Sequence, residues 1–224
     1  MKNSDALLIY IVCYSMIFLI TWISKLNKSN KLFDEKGIPA AKTRYLIGLH
    51  VAGIMWLGLV PILFNGSFKT LLFGGRSLTL SWMLLYVFLF LSINFIGIRA
   101  SRQVIIKTGN ISAPSNNFLP CYFAARILFL CAYELFFRGY LLFDGIKWFG
   151  ILPAVILTTG LTVLIHVFTN KKEMWACIPF GMICCSCCIA FGAVWPAIAL
   201  HLALSFAYEI PHVNHFVTQI KLIK

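Results

Sequence analysis

Long apolar runs alternate with short polar stretches along the 224-residue chain. A membrane-crossing helix needs about 20 mostly apolar residues. Runs of that kind lie at 6–24, 45–64, 80–98, 118–143, 151–168 and 174–192, with a shorter one at 196–210. The pattern predicts an all-α, polytopic transmembrane helical bundle of about seven spans. The first run has no small-residue cleavage pattern of the Ala-x-Ala kind and reads as a retained span rather than a signal peptide. A basic loop occupies 25–44, and a polar stretch containing Pro114 occupies 108–117. The second of these divides an N-terminal three-span region, 1–117, from a four-span core, 118–210. A short basic tail, 211–224, follows.

Composition sharpens this reading. The chain is 60% hydrophobic and 12% charged, and its mean hydropathy is +0.87. Soluble domains carry roughly 25% charged residues. A disordered chain and an ordinary cytosolic enzyme are both excluded. The formal net charge is +12, which in a soluble protein would point to nucleic acid. Here thirteen of the 19 Lys and Arg fall in alternate loops and the tail: 25–44, 99–107, 171–172 and 221–224. Short basic loops stay cytoplasmic, so the charge fixes orientation, with the N-terminus outside and the C-terminus inside. The expected partner is membrane lipid, not nucleic acid.

Four of the eight cysteines form a Cys184-Cys185-Ser186-Cys187-Cys188 cluster inside one apolar run. No acid or histidine shares that run. Small polarizable side chains suit close helix contacts, and the cluster reads as packing.

A charge at the bilayer centre costs about 2.5–3.5 kcal/mol on insertion scales and marks a functional candidate. Of the seven acidic residues, Glu134 is the only one expected deep in a span. Arg138 follows at i+4 on the same helical face and can form a buried ion pair with it. His166 and His201 sit in two further apolar runs, and Ser205 lies one turn beyond His201. A carboxylate with an imidazole can activate water, and an imidazole with a hydroxyl can polarise a carbonyl. His50 has no comparable neighbours in its run and reads as structural. His212 and His215 read as interfacial.

Three short motifs carry a family resemblance: Tyr133-Glu134-x-x-x-Arg138, Thr162-x-x-x-His166 and His201-x-x-x-Ser205. With Trp195-Pro196-Ala197-Ile198-Ala199-Leu200 before His201, they resemble the CPBP family of CAAX-protease and bacteriocin-processing membrane proteins. The resemblance covers about 118–208. It implies a glutamic-type intramembrane endopeptidase in a bacterial plasma membrane, cleaving a membrane-associated peptide that is prenylated or bacteriocin-like. In that family a Glu and the first His activate water, while the second His and an Asn polarise the scissile carbonyl. The corresponding catalytic set here is Glu134, His166, His201 and Ser205, with Arg138 and Tyr133 as structural partners. No cofactor is required, although two His and one Glu can bind Zn²⁺. The sequence departs from the family at three places. Tyr133 stands at the first Glu of the motif, Thr162 at the Phe, and Ser205 at the Asn. A tyrosine is neutral near pH 7 and does not replace a carboxylate base. Two alternatives therefore accompany the endopeptidase reading. One is a catalytically inactive scaffold in bacteriocin immunity or regulation. The other is a transporter using the same polar residues as a relay, which the lack of an internal repeat disfavours.

Straight spans raise one difficulty. With straight spans and 144–150 the place for any embedded loop, Glu134, His166 and His201 lie at depths that differ by roughly 10 Å or more at 1.5 Å per residue. Convergence then needs tilted or staggered helices, or an embedded loop.

Overall fold

The computed structural model describes residues 3–26, 43–66, 68–76, 79–105, 118–169 and 171–223. Most of the basic loop and all of the 108–117 stretch lie outside the described residues. Every regular element among the described residues is helical, as the apolar pattern predicts. We number eight helices. These are α1 (Asn3–Leu26), α2 (Thr43–Gly53, continued to Phe64), α3 (Phe68–Phe73), α4 (Leu80–Ile105), α5 (Phe118–Glu134, continued to Phe149), α6 (Ile151–His166), α7 (Lys171–Phe191) and α8 (Trp195–Ile223).

Five of them, α1, α2, α4, α5 and α7, are long and apolar enough to cross a bilayer. Helix α6 has 16 residues, about 24 Å at 1.5 Å per residue, which is short of a hydrocarbon core of about 30 Å. Helix α8 has 29 residues, and Glu209 and three histidines interrupt its apolar pattern. The outer surface is strongly apolar. Only 11% of the apolar window of α4 is buried, and Met83, Leu84, Val87, Phe88, Leu91 and Phe95 all face outward. Such a surface is stable against lipid and not against water. This is an integral membrane protein.

Two helices widen into π-helical turns, each with a local reason or consequence. In α2 the π segment is Ile54–Leu59, just before Pro61. Proline has no N–H to give the carbonyl four residues back, and the wider turn absorbs its ring. In α5 the π segment is Leu135–Leu141, and all seven of its residues are buried. An inserted π turn shifts the face a helix presents, and such turns are frequent at functional sites. On its N-terminal side stand Tyr133 and Glu134. On its C-terminal side Asp144 accepts a 2.7 Å hydrogen bond from the Tyr10 hydroxyl of α1.

The hairpins are tight. Helix α5 runs on through 144–149 and turns into α6 at Gly150, whose φ of 87° suits a residue without a Cβ. Gly192, with φ 64°, does the same between α7 and α8. Helices α4 and α8 make the most extensive pairing in the bundle. They approach so closely at Gly97 that a Cβ there would stand 2.8 Å from Ala207 Cβ and 3.2 Å from the Leu204 carbonyl oxygen. Small residues at such crossings let helix backbones meet in membranes. Gly97→Ile should therefore lower stability by about 1–3 kcal/mol through overpacking, read as a fall in Tm in detergent. The four clustered cysteines are buried against Ile93, Leu142, Ala154 and Leu200 as free thiols.

Candidate active site

The α5–α6 hairpin removes the depth problem. Because α5 is helical to Phe149 and the turn is a single glycine, Glu134 and His166 lie sixteen positions to either side of Gly150. At 1.5 Å per residue both stand about 24 Å from the turn. The segment at 144–150, expected as a loop, is helix up to residue 149. That is why straight-span counting misplaced the two residues relative to each other.

Helix α8 runs antiparallel to α5 and brings His201 to the same level. Its Nδ1 lies 2.5 Å from Glu134 Oε1. The carboxylate can only accept, so Nδ1 carries a proton; in the neutral imidazole Nε2 is then a lone-pair acceptor. The other carboxylate oxygen, Oε2, lies 3.4 Å from Arg138 Nε. Glu134 is fully buried and Arg138 is 1% exposed, whereas the His201 side chain keeps 18% exposure. The carboxylate is therefore shared between an imidazole and a guanidinium, and Arg138 does not monopolise it. Gly181 of α7 makes room for that guanidinium, since a Cβ there would stand 3.2 Å from Arg138 Nη2.

His166 closes α6. Its Nδ1 donates to the Thr162 carbonyl at 2.9 Å, which again leaves Nε2 as an acceptor. Thr162 gives its own hydroxyl proton to the Thr158 carbonyl at 2.8 Å. Tyr133 is a ring neighbour of both imidazoles and is 96% buried. Its ring is nearly perpendicular to both, with centroids 6.5 Å from His166 and 5.6 Å from His201. The Arg138 guanidinium stands 5.9 Å from the Tyr133 ring centroid. The Tyr133 hydroxyl makes no hydrogen bond among the described residues. Phe180 of α7 covers the other side of His201 at 5.3 Å.

Ser205 does not join this group. It accepts from Arg126 Nε at 3.2 Å and donates to Glu209 Oε1 at 3.4 Å. These residues form a second polar cluster, two helical turns away along α5 and α8. Arg126 Nη2 pairs with Glu209 Oε1 at 3.3 Å, and the Tyr122 hydroxyl donates to Glu209 Oε2 at 3.1 Å. His50 Nε2 lies 3.4 Å from Arg126 Nη1. So Glu134 is not the only buried acid in the apolar runs, because Glu209 is 7% exposed. Nor is His50 isolated. The sequence signal for both was available: Arg126, Ser205 and Glu209 share helix faces with Glu134 and His201 at i±4 and i±8 spacing. Among the described residues no group of three or more His, Cys, Asp or Glu is placed to hold a metal ion.

The order and spacing of these residues can now be set against known families. Residues 114–207 match the family described as Type II CAAX prenyl endopeptidase Rce1-like. The match spans somewhat under half of the chain and contains Tyr133, Glu134, Arg138, His166, His201 and Ser205, with Glu209 two positions beyond it. It agrees with the CPBP resemblance carried by the three motifs. No curated protein and no solved structure matches the chain.

Proposed function

We propose that the protein is a divergent intramembrane endopeptidase of the CPBP type. It hydrolyses a peptide bond in a membrane-associated peptide, prenylated or bacteriocin-like. The observation that carries this reading is the buried Glu134–His201 pair beside His166, midway along a long apolar helix. A carboxylate and two imidazoles placed at the cost of burying charge need a chemical reason. In the proposed step Glu134 holds His201 with Nε2 unprotonated, and Nε2 takes a proton from water. The water oxygen attacks the carbonyl carbon. The resulting imidazolium, stabilised by Glu134, returns the proton to the leaving nitrogen as the C–N bond breaks. His166, held by the Thr162 carbonyl, offers a second imidazole on the other flank of Tyr133. On this reading the chain sits in a bacterial plasma membrane with its N-terminus outside, an orientation supported by the basic loops.

The test is cleavage of fluorogenic peptides, with and without a farnesylated cysteine, by the purified chain in detergent micelles. Cleavage is expected from the wild type, with loss of at least about a hundredfold in His201→Ala and in His166→Ala at equal folded yield. Undiminished cleavage by both variants would reject the assignment. One observation favours the second reading, an inactive scaffold in immunity or regulation: Tyr133 occupies the position where the family motif has its first Glu. That reading predicts an unchanged cellular phenotype in the same two variants.

A further inference from the structure

The two clusters leave the proposed peptidase without a donor for its oxyanion. A tetrahedral intermediate needs at least one N–H or O–H aimed at the oxygen that becomes negative. Ser205, which stands where the family motif has its Asn, gives its proton to Glu209 and accepts from Arg126. His166 and His201 both have their protons on Nδ1, committed to a backbone carbonyl and to Glu134. Their Nε2 atoms are acceptors. Arg138 is the nearest cation to the carboxylate, but it lies within the core at 1% exposure and is drawn to Glu134.

Besides the Arg138 guanidinium, whose charge is held by Glu134, the group has one neutral donor without a partner. The Tyr133 ring packs edge-on against both imidazoles, and its hydroxyl is buried without a hydrogen-bond partner among the described residues. The Thr162 hydroxyl, which gives its own proton to the Thr158 carbonyl, is the acceptor near it, but the two do not meet in hydrogen-bond geometry. A buried hydroxyl left unmade costs about 1–3 kcal/mol, so such groups are rare without a role. The ring itself is fixed on three sides, by Phe137 at 4.7 Å, by His201 and by the Arg138 guanidinium. The ring position is therefore fixed, and a substrate carbonyl reaches the buried hydroxyl as the groups that cover it give way.

We propose that Tyr133 is the catalytic residue that polarises the scissile carbonyl. Its O–H donates a hydrogen bond to the carbonyl oxygen as water attacks the carbon, and the bond strengthens as the π electrons move onto that oxygen. No proton leaves the phenol. When the tetrahedral intermediate collapses, the electron pair returns to the C=O bond, the C–N bond breaks, and the His201 imidazolium protonates the nitrogen. The substitution at the first motif position then exchanges a base for an oxyanion donor, while Glu134 and His201 keep the water chemistry.

This assignment rests on the endopeptidase reading, and the experiment separates the two. Tyr133→Phe keeps the ring and removes only the hydroxyl. With the peptide panel described above, kcat should fall by about 10²–10³ with KM little changed. As a second probe, fluorotyrosine placed at position 133 alters the acidity of the phenol at almost constant size, and kcat should shift with it. If Tyr133→Phe and the fluorotyrosine protein both cleave like wild type while Glu134→Gln is dead, the role of Tyr133 is overturned and the endopeptidase stands. A large loss in Ser205→Ala with Tyr133→Phe unaffected would likewise overturn it, in favour of the serine. If the wild type cleaves no peptide of the panel, both readings fall together.

Discussion

Replacing Glu134 by Gln should reduce peptide cleavage by about three orders of magnitude and also weaken the fold. The two effects have different origins. An amide oxygen still accepts from His201 Nδ1, but it no longer stabilises the imidazolium that forms when Nε2 takes a proton. Losing a carboxylate behind a catalytic imidazole costs up to about 10⁴ in rate. The same change leaves the Arg138 guanidinium, 1% exposed, without its counter-charge. Removing one partner of a buried pair costs about 3–5 kcal/mol, whereas replacing both by apolar groups of similar size is often neutral. Glu134→Ala should be worse, since it adds a cavity beside the orphaned charge. The double variant Glu134→Gln, Arg138→Met separates the effects. Its Tm should return toward wild type while cleavage stays absent. Cleavage by that folded double variant would remove Glu134 from the chemistry altogether.

The helices were legible in the sequence because lipid demands long apolar runs, and every run tested among the described residues is a helix. Glu134, Arg138, His166 and His201 were legible for the complementary reason, since polar groups in such runs are costly and few. What failed was continuity. The apolar run ends at residue 143, just before Asp144 and Lys147. In the folded chain Asp144 is neutralised by Tyr10 and Lys147, each at 2.7 Å, so α5 continues past them to Gly150. Six residues counted out of the helix shifted Glu134 relative to His166 by about 9 Å. The second cluster was missed for a related reason. Glu209 sits near the C-terminal end of a run that counts as a weak span, and its burial depends on Arg126 and Tyr122 from another helix. Hydropathy along one chain cannot register a partner that arrives from elsewhere. Ser205 shows the same limit: its position beside His201 was legible, but the competition of Arg126 for it was not.

The two clusters together fix how α5 and α8 meet, and the Arg126–Glu209 pair should show it as energetic coupling. Arg126 and Glu134 are eight residues apart on α5, as are His201 and Glu209 on α8. Each helix thus offers two polar contacts about 12 Å apart, and the contacts are satisfied only in one antiparallel register. Sliding α8 by one turn, about 5.4 Å, would break both at once. Arg126 keeps 25% side-chain exposure and Glu209 10%, so a lone survivor is less penalised than at Arg138. Arg126→Met and Glu209→Leu should each cost about 1–3 kcal/mol, mostly from the polar group left behind. In the double variant both groups are gone, and most of that loss should be recovered, giving a coupling of about 1–2 kcal/mol in a double-mutant cycle on thermal unfolding. The recovered fold should still cleave more slowly than wild type, because only the Glu134–His201 contact would then hold the register. Additive losses with no coupling would mean that apolar packing alone sets how these helices meet, and that the polar pairs merely occupy a seam fixed without them.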